Sequence, residues 1–185
     1  MKSVDEILTE ELQVGDRGAQ RELYDRYSPT LMAIAMRYVG ERSVAEDILH
    51  DSFVKIYGSI KRFSYRGDGS LKAWMSRIVV NSSLEYLRRN RQRTISIDTT
   101  PIGDTLPMDD LSSRVERVPY DVLLAFVAEL PDGYRTVFNL FCIEEYSHRE
   151  IAKELGINEK SSSSQLLRAK RLLAAKIKSY IELHE

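Results

Sequence analysis

Apolar residues recur along this chain at three- and four-residue spacings, so it is expected to be almost entirely helical. Val4, Ile7, Leu8 and Leu12 outline a short first helix closed near Gly15. A second helix is expected from about Ala19 to Tyr38, with Leu23, Tyr27, Leu31, Ile34 and Tyr38 on one face. Pro29 falls inside it, where the missing N–H and the ring can bend or interrupt the helix. Gly40 stops this helix, and Ser43 with Glu46 three residues on has the spacing of a capping box for a third. That third helix buries Ile48, Leu49, Phe53 and Ile56. After the loop FSYRGDGS, Ser70 is expected to cap a helix running from Leu71 into Arg88, Arg89, Arg91 and Arg93.

The pattern then breaks. Between Ile95 and Pro119 stand Pro101, Gly103 and Pro107, among the acids Asp98, Asp104, Asp109, Asp110 and Glu116. Such a stretch reads as an acidic, flexible linker, 95–119, between helical domains at 1–94 and 120–185. The fold expected is therefore all-α, in two small domains. Beyond the linker, Tyr120 to Leu130 is one helix ended by Pro131, and Asp132 to Ile143 another. Ser147 and Glu150 then make a second capping box, opening a helix with Ile151, Ala152 and Leu155 on its apolar face. Gly156 permits the left-handed backbone that ends it, and Asn158 caps the next helix. On that helix Ser162, Leu166, Ala169 and Leu173 form the inward stripe. Ser161, Ser164, Gln165 and Arg168 form the outward one, able to bond base edges or phosphates. This is the grammar of a helix-turn-helix, although two plain amphipathic helices with a polar outside fit the pattern equally. The last helix is expected to continue through Ile177 and Ile181, made basic by Lys170, Arg171, Lys176 and Lys178.

Composition adds bounds. With 185 residues, 43% of them hydrophobic, the chain can bury the core of one ordinary domain or two small ones. The net charge of −1 favours no partner, but its distribution is segregated. Between Arg66 and Arg93 lie Arg66, Lys72, Arg77, Arg88, Arg89, Arg91 and Arg93, opposed only by Asp68 and Glu85. Next to Phe63, Tyr65, Trp74 and Tyr86, this stripe suits phosphates and unstacked bases. It also fits arginines lying over a tryptophan core. Glu46, Asp47, His50 and Asp51 share the polar side of the third helix, and the residues alone favour a solvated face there. Cys142 sits in the apolar run VFNLFCI and is expected to be a buried, inert thiol. His50, His148 and His184 lack the spacing of a zinc site. No partnered nucleophile, metal cluster or phosphate-cradling glycine loop is apparent, so neither an enzyme nor a cofactor is expected. The N-terminus lacks the apolar core of a signal peptide, and no apolar run is long enough to insert in a membrane. A cytoplasmic protein is expected.

Four segments in order, AEDILHDSFVKIY, LKAWMSRIVVNSSLEYLRRNR, LPDGYRTVFNLF and YSHREIAKELGINEKSSSSQLLRAKRLL, resemble the bacterial RNA polymerase sigma factors of the extracytoplasmic-function (ECF) group. The likeness covers the chain from Arg21 to Leu173. It implies a two-domain specificity subunit that binds core RNA polymerase and directs it to particular promoters. The first domain would recognise and melt the −10 element, and the helix-turn-helix would read the −35 element. The resemblance turns Glu46, Asp47, His50 and Asp51 into an expected interface with the coiled coil of the polymerase beta-prime subunit. It places Arg77, Asn81 and Ser82 where flipped −10 bases are captured, with Arg88, Arg89, Arg91 and Arg93 on phosphates at the upstream edge. It puts Ser161, Ser163, Ser164, Gln165 and Arg168 at the −35 element. The acidic linker would thread polymerase near the RNA exit path. An anti-sigma protein is an implied further partner, and the free chain is expected to be a monomer.

The family often has Gly-Thr-Val-Lys-Ser where this chain has Lys160 to Ser164, so the −35 bases read here are open. Ser162 stands for an aliphatic residue and Ser163 for a lysine. Two other readings remain: a free-standing dimeric helix-turn-helix regulator, and a sigma-like protein that sequesters a partner without activating promoters.

Overall fold

The computed structural model describes residues 2–91, Arg91 by its backbone only, and residues 115–184. All its regular elements are helices, grouped in two compact units, Met1–Arg89 and Asn90–Glu185. Most of the expected linker, and with it Arg93, lies outside the described residues.

In the first unit α1 spans Val4–Gln13, α2 Arg17–Val39, α3 Arg42–Ser59 and α4 Ser70–Arg91, with a 3-10 turn at Ile60–Arg62. The Ser3 hydroxyl accepts from the Glu6 N–H at 3.2 Å to start α1. The Asp16 carboxylate accepts from Ala19 N–H at 2.7 Å to start α2. Of the apolar residues expected on α1, Leu8 and Leu12 are buried, whereas Val4 and Ile7 face outward. Helix α2 passes through Pro29 without a break. Asp25, whose carbonyl loses its helical partner there, is on the exposed side, where water can take the bond. Leu23, Leu31, Ile48, Phe53, Ile56, Leu71, Met75 and Val79 make one core, to which Trp74 and Phe63 add a partly buried ring pair, centroids 4.7 Å apart.

Two capping expectations fail. Gly40, left-handed at φ 71°, ends α2, and only Gly40 and Glu41 separate it from α3. So short a connection leaves Ser43 already inside the helix. Its hydroxyl donates to Glu41 at 2.7 Å, and Glu46 pairs with Arg42 at 2.8 Å instead of closing a capping box. Ser70 is likewise the first helical residue rather than the cap, and its hydroxyl accepts from the Arg66 N–H at 3.1 Å.

In the second unit α5 spans Tyr120–Ala128, α6 Asp132–Cys142, α7 His148–Leu155 and α8 Glu159–His184. Val127, Leu130, Tyr134, Ala169 and Leu173 form its core, with Phe126, Phe138 and Leu172 packed against it. Val118, at the end of the stretch read as linker, is buried, so the packed unit begins before Tyr120. Cys142 is exposed, contrary to expectation. It lies two residues beyond buried Leu140, about half a turn round α6, so the apolar run does not follow the buried face.

Candidate functional site

The polar surface of α3 is built by its apolar one. Ile48, Leu49, Phe53 and Ile56 are packed inward, which leaves Glu46, Asp47, His50 and Asp51 all exposed on the other side. Val54 continues that outward stripe one turn beyond Asp51 and is 59% exposed. It was hidden in sequence by its position between Phe53 and Ile56. The face is thus acidic with an apolar end.

On α4, Leu71, Met75, Val79 and Leu84 are buried, and Arg77 and Asn81 are exposed one turn apart on the opposite side. Ser82, expected beside them at the bases, is instead only 6% exposed. Three residues on from Val79, it falls on the inward stripe, where its hydroxyl accepts from Lys55 Nζ at 3.0 Å. Lys55 also reaches Glu85 at 3.4 Å, and Glu85 in turn pairs with Arg89. The Lys55 bond and the nearby Arg89 hold the Glu85 carboxyl below the usual carboxylate range. Arg88 and Arg89 are both exposed near the basic end of α4. Lys55 ties α3 to α4, a role that nothing in the run FVKIY announces. Tyr65 is drawn into a local network, its hydroxyl 2.6 Å from Ser3 Oγ and donating to Asp68 at 2.8 Å.

The helix-turn-helix forms as its caps dictate. Ser147 and Glu150 make a full capping box, Gly156 is left-handed at φ 64°, and Asn158 accepts from the Ser161 N–H at 2.7 Å. Ser163, Ser164 and Arg168 are exposed on α8, with Ser161 and Gln165 half-buried beside them. Together with Asn158 and Lys160, four of these line a shallow polar depression: Ser161, Ser164, Gln165 and Arg168. The start of α6 steadies two of them. Gln165 packs beside Gly133, its Oε1 2.9 Å from where a Cβ there would stand, so a larger residue would make the amide shift. Arg168 donates to the Tyr134 hydroxyl at 3.2 Å.

Arg135 carries no signal in the sequence, yet it is 5% exposed. Its guanidinium donates to the carbonyls of Ala128 at 2.6 Å and Leu130 at 3.0 Å, and pairs with Asp132. It therefore satisfies the carbonyl end of α5 and fixes the turn into α6. Burial pushes its pKa down, and the Asp132 carboxylate opposes that shift.

Both units match known families. The sigma-70 region 2 family matches residues 23–93, and the sigma-70 region 4 family matches residues 120–173. The chain belongs to the ECF sigma factors. The ECF RNA polymerase sigma-E factor of Haemophilus influenzae is 29% identical to it, over 94% of this chain and 95% of that protein. The ECF RNA polymerase sigma factor SigM of Bacillus subtilis is 26% identical, over 83% of this chain and 92% of that protein. Among solved structures, CnrH in complex with the cytosolic domain of CnrY has a TM-score of 0.48 and 23% identity, over 94% of this chain and 96% of that one. The sigma factor is thus a transcription initiation factor and not an enzyme, acting with core RNA polymerase on promoter DNA. Among the described residues no helix is long and apolar enough to cross a membrane.

Proposed function

We propose that three polar surfaces of this sigma factor divide the work of promoter recognition. The face of Glu46, Asp47, His50 and Asp51 docks on the coiled coil of the polymerase beta-prime subunit, with Val54 as an apolar contact at its end. Arg77 and Asn81 capture a base that has left the −10 duplex, and Arg88 and Arg89 hold phosphates beside it, followed along the chain by Arg91 and Arg93. Ser82 serves by fixing Lys55 and not by touching a base. Ser161, Ser163, Ser164, Gln165 and Arg168 read the −35 element. Melting is then driven by binding: the protein's hold on the flipped bases offsets the stacking they give up, on the order of a few kcal/mol per step. The protein acts in the cytoplasm, is a monomer when free, and is held inactive by an anti-sigma protein.

The observation that supports this reading is α3, buried on its apolar side and exposed on its acidic one, within the stretch that matches sigma-70 region 2. Run-off transcription with core polymerase tests the whole. Promoter-specific transcripts that require the chain are expected. Tight promoter binding as a dimer without polymerase, or holoenzyme that starts no transcript, would overturn it.

A further inference from the structure

Ser162 is fully buried between the two helices of the helix-turn-helix, at 0% exposure, in an otherwise apolar stripe with Leu166 and Ala169. A buried hydroxyl there needs a partner. It has one in His148, whose Nδ1 lies 2.9 Å from Ser162 Oγ. His148 is the first residue of α7, and its ring stacks on Phe141 of α6, centroids 4.6 Å apart and planes 23° from parallel. Three helices thus meet on one imidazole. Either tautomer supports the bond, since the hydroxyl can donate to a bare Nδ1 or accept from a protonated one.

We infer that His148 is a positioning residue for base reading: held on Phe141, it fixes Ser162 and thereby the rotation and height of the recognition helix α8. The physical contrast is with an apolar contact, which is non-directional and tolerates sliding. A hydrogen bond from a fully buried hydroxyl to a half-buried imidazole that is itself stacked on a ring fixes distance and angle. Ser161 and Ser163 flank Ser162, and Gln165 follows it by three residues, so whatever sets Ser162 sets the outward stripe. Gln165 itself packs beside Gly133 at the start of α6.

This inference rests on α8 reading the −35 element, and the test separates the two. Holoenzyme assembled from core polymerase and the full chain first selects its −35 element from a randomised library. Discrimination between that element and single-base variants is then measured for Ser162→Ala, Ser162→Thr, His148→Phe and His148→Asn. Ser162→Ala removes one oxygen from the interior and is expected to keep the fold. Loss of discrimination by about five-fold, the equivalent of one ordinary hydrogen bond, is expected for Ser162→Ala and His148→Phe, with opening of the −10 region unchanged. Ser162→Thr and His148→Asn keep a bonding group and should retain most of it. In the free full chain, Ser162→Ala should also shift the Nδ1 nitrogen resonance of His148 and leave those of His50 and His184 in place. A wild type blind to −35 changes overturns the −35 reading itself. A discriminating wild type matched by both Ser162→Ala and His148→Phe overturns the latch alone, as does an unmoved His148 resonance.

Discussion

Arg135 shows how one side chain can hold a domain without touching a ligand. Its guanidinium closes the carbonyl end of α5 and pairs with Asp132 at the start of α6. Arg135→Ala would leave the Ala128 and Leu130 carbonyls without their donor, a loss on the order of 2 kcal/mol, to which the exposed Asp132 adds little. Thermal unfolding of the full chain should show a large drop, while holoenzyme formed well below that temperature should still discriminate −35 elements. A transition unchanged from wild type would refute the structural role. Asn81 and Arg88 differ in kind. Asn81 is exposed on α4 with a donor and an acceptor for a base that is available only after melting. Asn81→Ala should therefore impair opening more than closed-complex formation, seen as weaker permanganate reactivity of −10 thymines at equal polymerase occupancy. Arg88→Ala should instead weaken all promoters alike and reduce the salt slope by about one. Equal thymine reactivity in the Asn81 variant would count against its base contact.

At the scale of the element, α3 makes the sharpest division. Asp47 and Asp51 stand one turn apart on its exposed side, and the other side is core. Reversing both charges on a merely solvated face should change stability by no more than about 0.5 kcal/mol. Across an interface with a basic coiled coil, the same change sets like charges together and costs on the order of several kcal/mol. Asp47→Lys with Asp51→Lys is expected to keep the wild-type melting temperature and to abolish co-purification with core polymerase. Val54→Ser should weaken holoenzyme less, since it removes only one apolar contact. A folded double variant that assembles normally would sink the docking assignment.

The whole molecule is two separately packed units, each with its own core and its own small polar surface. Each DNA-reading surface is small, so each unit alone should hold promoter duplex weakly at physiological salt. Polymerase, by fixing the two together, raises the effective concentration of the second contact once the first is made. The free chain is thus expected to sediment as a monomer and to show no nanomolar, sequence-specific DNA binding until core polymerase is added. Specific nanomolar binding by the chain alone would contradict this.

What the sequence determined by itself is what local geometry controls. The helix-turn-helix was legible because Ser147, Glu150, Gly156 and Asn158 act within three or four residues of themselves, and all four do what their chemistry dictates. The inward stripes of α3 and α8 followed from helical periodicity in the same way. Tertiary structure decided whatever depends on a neighbour from elsewhere in the chain. Ser43 had the spacing of a cap, but the two residues between α2 and α3 left it inside the helix. Ser82, expected beside a base, is buried, and Lys55, twenty-seven residues away, bonds it from α3. Cys142 looked buried in an apolar run until packing chose the face with Leu140 and turned the thiol outward. Ser162 carried no sign of its partner, since the bond to His148 exists only once α7 and α8 have packed. Periodicity tells which side of a helix turns inward; only packing tells what each inward atom meets.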